Sequence, residues 1–325
     1  MERRTPLIAR LAAEGTDCYR VFHGITEGLP GLTVDRYGGL VLAQTFREPL
    51  VPAETEALEA ALRAALGMPF AFAYNHRGKK AAEPFEKWHR PSPEALVEFV
   101  CSEGGLKYCI RARHRGIDPW LFLDLRAGRR YVRSSAKGLS VLNLFSYTCG
   151  VGVCAAAGGA SEVWNVDFAA SSLEVGERNA ALNGIPAGKF RQVNEDCVTV
   201  LRQLAGLSSG GRYGQKRRYQ RFEPRSFDLV FLDPPAWAKG PLASVDLVRD
   251  YPSLFKPAVM AAKPGGRVIA ANNVGSVDYD GWTEVLRRCA AKAGRPIRDL
   301  RPIEPDGDFP SFDGKPPLKL VICEV

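Results

Sequence analysis

The chain has no apolar run approaching the roughly 20 residues that cross a bilayer as a helix, which argues against a helical membrane span. Its start, "MERRTPLIARLAAEG", opens on Arg3 and Arg4 but has neither a long apolar stretch nor a small-residue cleavage site. It reads as a surface helix rather than a signal peptide. The eight cysteines include no C-x-x-C pair, so zinc and iron–sulfur patterns are missing. A chain of 325 residues needs no disulfide staples, and thinly spread thiols suit a reducing cytoplasm. No segment repeats at solenoid spacing.

What is present is an ordinary apolar fraction, 46%, enough for a real core. The net charge is +8 with an isoelectric point near 9.1. That excess suits a polyanionic partner, a solubilising surface being the plainer alternative.

Residues 19–46 read as strand, turn, strand, with turn signals at Gly28–Gly31 and Gly38-Gly39. "VPAETEALEAALRAALG" has helical apolar spacing and ends on Gly67. A β-rich stretch over about 70–115 completes a small α/β module. From residue 139 strands and helices alternate: "LSVLNLF", "EVWNVDF", "KFRQVNED", "FDLVFLD", "RVIAANN" and "LKLVICEV" are strands. Between them lie helical segments such as "SSLEVGERNAALNG" and "SLFKPAVMAAKPGG", the latter expected to stop at Pro264 and its glycines. The expected fold class is α/β: a Rossmann-like, doubly wound, mostly parallel sheet over 116–325, with a smaller N-terminal α/β domain over 1–115. Ligands of such sheets bind beyond the carboxyl ends of the strands. Residues 205–225, which include "GLSSGGRYGQKRRYQRFEPR", interrupt the alternation and read as an insertion.

The loops after the strands carry the chemistry. "NLFSYTCGVG" puts two glycines at a turn into a helix, where backbone can approach a ligand and N–H groups are free. A lone G-x-G is weak, and an ordinary tight turn is the alternative. Asp167 ends the second strand, where an acid can bind both hydroxyls of a ribose or else cap the next helix. The nicotinamide fingerprint G-x-G-x-x-G is met only in its relaxed form, because Ala155 follows Gly150 and Gly152. Asp196 could accept from an adenine amino group, or cap its helix. After the fourth strand, Asp233-Pro234-Pro235-Ala236-Trp237 forms a stiff ledge: prolines fix φ and remove donors, and an indole can stack on a base.

"FLDLRAGRR", "VLNLFSYTCGVGVCAAAGGA", "VWNVDFAASSLEVGERNAALNG" and "FDLVFLDPPAWAK" together resemble class I S-adenosylmethionine-dependent methyltransferases. Within them the chain is most similar to the large-subunit rRNA families that make 5-methylcytosine and 7-methylguanine. "EGLPGLTVDRYGG" resembles the small central domain of the cytosine-5 family, without the N-terminal PUA domain of that family. The resemblance covers about residues 19–325. It implies S-adenosyl-L-methionine as cofactor, with Asn143, Phe145, Ser146, Tyr147, Thr148, Cys149 and Gly150 around its methionine part. It implies Asp167 at the ribose and Asp196 at the adenine, with Phe168, Asn194 and Cys197 also lining the cofactor. Arg126, in a segment matching "FLD-x-R-x-x-R", would lie near the cofactor carboxylate, an ion-pair role being the alternative for it and Arg129. Asp233, with Pro234, Pro235, Trp237 and Asn272, would meet the sulfonium and the target base.

The departures bear on the reaction. Cytosine C5 is a poor nucleophile and its methylation needs a cysteine thiolate adding to C6. The cytosine-5 family keeps that cysteine after the fifth strand, where this chain has Ala271-Asn272-Asn273-Val274. Asn-Asn there resembles the 7-methylguanine family, and either asparagine could hold a base edge. Lys107, Arg111, Arg113 and Arg115 are expected along one strand face. The arginines and aromatics of 212–225 suit single-stranded RNA, a solvated loop being the alternative.

The sequence therefore leads to an RNA methyltransferase acting on rRNA, at a base nitrogen, in the cytoplasm. The partner is RNA, no membrane is involved, and a homodimer is left open. The rival readings are a cytosine-5 enzyme with a displaced cysteine, methylation of DNA or protein, and a catalytically silent RNA-binding assembly factor. A dehydrogenase is disfavoured by the incomplete glycine fingerprint.

Overall fold

A computed structural model of the chain describes residues 4–78, 89–113, 118–208, 219–235, 237–239, 244–246 and 250–325, with only the backbone of 237–239 and 244–246. Two compact units emerge. The first is Met1–Arg126 with Pro305–Gly314, and the second is Ala127–Glu304 with Lys315–Val325. The sequence treats the domains as consecutive, divided near residue 115. In the structure a late segment returns to the first unit.

The first unit runs α1 (Thr5–Ala13), β1 (Cys18–His23), α2 (Gly24–Glu27), β2 (Leu32–Tyr37), β3 (Leu40–Thr45), α3 (Pro52–Leu66), β4 (Ala71–His76), β5 (His89–Pro91), β6 (Phe99–Glu103) and β7 (Leu106–Ile110). The first five strands form a sheet in sequence order. Only β3 and β4 are parallel, and α3 is the crossover that parallel pairing requires. That helix stops at Gly67, whose φ of 62° lies in the left-handed region, where a glycine carries no Cβ penalty. The helix α1 does more than cover surface: Leu11 is buried with Tyr19, Val34, Phe72 and Tyr74 in one apolar cluster.

A buried charge cluster ties the returning segment in place. The Asp308 carboxylate accepts from Arg126 Nη1 at 2.9 Å and Nη2 at 3.1 Å. It also accepts from the Arg20 backbone N–H at 2.9 Å, and the Asp308 carbonyl accepts from Arg4 Nη1 at 3.3 Å. Glu103 lies 3.5 Å from Arg126 Nε. An isolated charge in such a place would be prohibitive, so each cation is matched by acids and carbonyls.

The second unit begins with α4 (Arg126–Ser135, its first residue belonging to the first unit) and continues β8 (Ser140–Leu144), α5 (Gly150–Ala157), β9 (Glu162–Asp167), α6 (Ala170–Leu182), β10 (Phe190–Asn194), α7 (Cys197–Leu204), β11 (Phe227–Leu232), β12 (Trp237–Lys239), β13 (Ser244–Asp246), α8 (Tyr251–Met260), β14 (Ala262–Asn272), α9 (Tyr279–Lys292), β15 (Asp299–Pro302) and β16 (Lys319–Glu324). Seven strands pair in the order β10-β9-β8-β11-β14-β16-β15, while β12 and β13 form a separate hairpin. The first five strands of that order are mutually parallel. β16 alone runs against its neighbours. Winding goes outward one way from β8 through β9 to β10, and the other way from β11 to β14. The reversal between β8 and β11 makes the crevice where ligands of such sheets sit.

Two elements differ from the sequence reading. α8 ends at Met260, and "AKPGG" opens β14 instead of closing the helix. Pro264 is tolerated near the start of a strand, and Gly265 adopts φ 74° there while its N–H donates to Val325 O at 2.6 Å. Lys107, Arg111 and Arg113 do not share a strand face: β7 ends at Ile110, and Cys109 between them is buried. Arg115 lies outside the described residues.

Candidate active site

Strand register sets the site. Leu144 of β8 is level with Val166 of β9 and with Leu232 of β11, and Leu232 is level with Ala270 of β14. One residue on, Phe145, Asp167, Asp233 and Ala271 stand in a single row at the carboxyl edge of the sheet. Asp167 and Asp233 are separated by one strand, β8, hence by about 10 Å at ordinary strand spacing. Asn194 is level with Asp167, which brings Asp196 to the same edge.

The loop from β8 into α5 is backbone-strained. Phe145, Tyr147 and Cys149 have φ of 56°, 49° and 61°, in the left-handed region. Three alternate non-glycine residues in this region must be held there by their surroundings. Tyr147 N–H donates to Asp167 Oδ2 at 2.9 Å. Ser146 N–H donates to Val166 O at 3.0 Å, Phe145 N–H to Cys197 Sγ at 3.3 Å, and Asn179 Nδ2 to Thr148 O at 3.0 Å. No side chain caps the start of α5, so its first N–H groups suit an anion.

Asp167 is the pivot of this loop. Its Oδ1 accepts from Ala169 N–H at 2.9 Å, and a carboxylate has about four acceptor sites, so capacity remains for a hydroxyl. Burial pushes its pKa up to about 6, against the opposing pull of the Ala169 and Phe168 N–H groups. Phe168 follows, 48% exposed, and Asn194 Nδ2 donates to the Asp167 and Phe168 carbonyls at 3.2 and 2.9 Å. Asp196 caps α7, its Oδ1 accepting from Thr199 N–H at 2.8 Å. Among the described residues its Oδ2 has no donor, so capping and a ligand role are compatible.

Several expected ligands turn inward. Arg126, expected at the cofactor's carboxylate, is 1% exposed and spent on Asp308, Asp306 and the Cys18 carbonyl. Asn143 is buried, and its Nδ2 donates to Asn165 Oδ1 at 2.9 Å inside the sheet. Gly152 makes room for that asparagine pair, since a Cβ there would fall 1.9 Å from Asn165 Oδ1. This glycine therefore serves helix–sheet packing. Cys149 and Cys197 are buried; Cys149 lies against Gly176, where a Cβ would come within 2.5 Å of its sulfur. Either cysteine can meet a ligand through backbone only.

Past β11, Asp233 is half-buried, Pro234 buried and Pro235 exposed. Ala236 and the Trp237 indole lie outside the described residues. At the end of β14, Asn272 is 0% exposed. Its Oδ1 accepts from Val274 N–H at 3.0 Å, forming a turn, and its buried Nδ2 has no partner among the described residues. Asn272 therefore offers no surface to a base, and the exposed neighbour Asn273 takes its place as the candidate. The apolar run "VIAA" before Asn272 is the signal for that exchange: a strand covered on both faces buries its last residue, and Asn273 is the first beyond it. Two residues the sequence reading missed also support this turn: Tyr251 OH donates to Ala271 O at 2.8 Å, and Lys319 Nζ to Val274 O at 2.9 Å. A lysine opening the apolar run "LKLVICEV" is the sequence signal for the second.

A row of acids and a strained, uncapped turn on the carboxyl edge of a doubly wound sheet define a class I methyltransferase fold. Residues 19–323 match the family described as S-adenosylmethionine-dependent methyltransferase. The chain belongs to that family, and is accordingly an enzyme that uses S-adenosylmethionine. It is 32% identical over 306 residues to a ribosomal RNA large subunit methyltransferase of Deinococcus radiodurans, covering 92% of this chain and 70% of the relative. It is 28% identical over 323 residues to the ribosomal RNA large subunit methyltransferase I of Escherichia coli (strain SE11), covering 96% and 76%. Among solved structures, SMU.776 complexed with SAH aligns with TM-score 0.82 at 23% identity, covering 100% of this chain and 78% of that one. The complex of aTrm5 with tRNALeu aligns with TM-score 0.58 at 14% identity, covering 93% and 74%. At these identities the structures show the shared fold. No helix among the described residues is long and apolar enough to cross a membrane.

Proposed function

We propose that the protein methylates a base of large-subunit rRNA, at a ring or exocyclic nitrogen. The observation that carries the choice of nitrogen is the state of the thiols. All eight cysteines are buried, and burial pushes Cys149 and Cys323 up to about 12. A C5 methylation needs an accessible thiolate beside the base. A nitrogen brings its own lone pair and needs only alignment.

The residues present fit the cofactor. Asp167, with acceptor capacity to spare, is assigned the ribose hydroxyls, and Asp196 Oδ2 the adenine amino group. Phe168 and Asn194 flank them. The turn from Phe145 to Gly150 is assigned the methionine part, its amino and carboxylate groups matched by carbonyls and the uncapped start of α5. When bound, S-adenosylmethionine supplies a methyl group on a sulfonium sulfur. Asp233, Pro234 and Pro235 orient the base and exclude water, with Trp237 as stacking partner and Asn273 on the base edge. The first unit is assigned to RNA binding, and a ribosomal RNA substrate suits a reaction in the cytoplasm.

The names of the relatives and the net charge of +8 support RNA as the substrate. The test is tritiated S-adenosylmethionine with unmodified 23S rRNA transcript, followed by nucleoside mass analysis. A nitrogen-methylated base is expected. Release of tritium from transcript made with 5-tritiated cytosine would replace nitrogen by carbon, and no incorporation into RNA would remove the substrate.

A further inference from the structure

The turn after β14 is held at more points than a surface turn requires. Residue 273 is exposed, yet the backbone on both sides of it is fixed. Before it, the Ala271 carbonyl accepts from the buried Tyr251 hydroxyl at 2.8 Å. After it, the Val274 N–H is taken by Asn272 Oδ1 at 3.0 Å, and the Val274 carbonyl by Lys319 Nζ at 2.9 Å. The same ammonium donates to Pro317 O at 3.0 Å, joining the turn to the start of β16. Lys319 stands opposite Asn272 in the β14–β16 ladder.

Lys319 is an unusual choice for that place. It is 6% exposed, and burial holds its ammonium below the ordinary lysine range, with Asp278 opposing this only through space. Among the described residues no carboxylate touches it; a buried ammonium in that state is costly, and an apolar side chain of similar volume would serve packing better. What an apolar residue cannot supply is the pair of hydrogen bonds to Val274 and Pro317. Tyr251 repeats the pattern: a phenylalanine would fill the same space against Trp282, whose ring is 5.5 Å away, but would leave Ala271 O without its donor. Site residues held in place by such supporting contacts need no reorganisation when the substrate arrives.

We propose that Lys319 and Tyr251 are positioning residues which lock the Asn272–Val274 turn so that Asn273 meets the substrate base in one fixed geometry. This rests on the reading of Asn273 as the base contact. Neither residue need touch RNA or cofactor. The locking acts on alignment, so its loss falls on turnover at saturating RNA, with cofactor binding on β8, β9 and β10 left alone.

The experiment measures steady-state transfer from tritiated S-adenosylmethionine to unmodified 23S rRNA transcript, and S-adenosylhomocysteine affinity by calorimetry, for K319M, Y251F, N273A and the doubles K319M/N273A and Y251F/N273A. K319M and Y251F should each lose roughly 10- to 100-fold in kcat, the scale of a misplaced reacting group, with S-adenosylhomocysteine affinity within about twofold of wild type. Each double should be no worse than N273A alone, because removing Asn273 removes what the lock serves. Losses that multiply in the doubles would overturn the proposal and leave Asn273 as base contact. Wild-type transfer by both K319M and Y251F would also overturn it. Wild-type transfer by N273A would instead refute the base-contact reading, and with it the function assigned to the lock. If K319M fails to fold, Y251F, which deletes a single hydroxyl, decides by the same comparisons.

Discussion

Asp167 makes opposite demands on folding and on binding, and the two can be measured apart. Its carboxyl is pushed from an ordinary 3.8 to about 6 by burial. A shift of about 2 units corresponds to about 3 kcal/mol between the charged and neutral forms. The native state prefers the neutral acid, so this contribution to stability is fully present below pH 3.8. It is lost as pH rises through 6. Binding runs the other way: the carboxylate accepts ribose hydroxyls best when ionised. At pH 5, one unit below its pKa, only about one molecule in ten carries the charge, so affinity should fall about tenfold from its value at pH 7.5. The assay is calorimetric titration of S-adenosylhomocysteine from pH 5 to 8, beside urea unfolding of the ligand-free protein over pH 4 to 7. In Asp167→Asn both slopes attributed to this group should vanish, and affinity should be weak at every pH, by about 1–3 kcal/mol for the mismatched polar contacts. An affinity at pH 5 within twofold of that at pH 7.5, or the same pH slope in Asp167→Asn, would refute the reasoning.

Other perturbations reach the remaining parts of the site and its frame. Asp233→Ala should abolish methyl transfer to 23S rRNA transcript while S-adenosylhomocysteine titrates as in wild type; wild-type transfer would remove Asp233 from the chemistry. Gly152→Ala places a Cβ 1.9 Å from the buried Asn165 Oδ1 and should destabilise by about 1–3 kcal/mol, as overpacking does. The control Gly188→Ala, whose Cβ would meet nothing within 4 Å, should leave the urea midpoint nearly unchanged. Asp308→Ala strips Arg126 of its main partner and should cost about 3–5 kcal/mol, read as a lowered urea midpoint; an unchanged midpoint would mean that the cluster is stabilised otherwise.

The row of loop acids was legible because a doubly wound sheet converts chain order into position. Once "EVWNVD" and "FDLVFLD" are strands, Asp167 and Asp233 must leave the same edge. What side chains do at that edge was less legible. Asn272 and Asn273 are adjacent, and only the strand's end between them, after five consecutive buried residues, leaves one inside and the other exposed. Asn143 and Gly152 resemble ligand residues by motif but are consumed by Asn165, a partner more than ten residues from either. The basic loop 205–225 was identifiable as an insertion. Yet the structure uses Arg225 and Arg191 over the Trp164 ring, with centroid distances of 5.1 and 4.0 Å, and Phe222 packs on the same indole at 5.8 Å. Residues 209–218 of that loop lie outside the described residues. Arg126 illustrates the limit most plainly: its partner Asp308 is 182 positions away, and no local pattern links an arginine in "FLDLRAGRR" with an acid in "PDGDFPSF".

The return of residues 305–314 to the first unit makes that unit genetically discontinuous. No single junction divides the coding sequence into two self-sufficient pieces. A fragment ending at residue 126 would contain Arg126 and the Arg20 backbone N–H but not the carboxylate of Asp308 that accepts from both. A chimera that exchanges this unit between relatives must therefore carry two inserts, and the second, only ten residues long, must bring an acid to the place of Asp308.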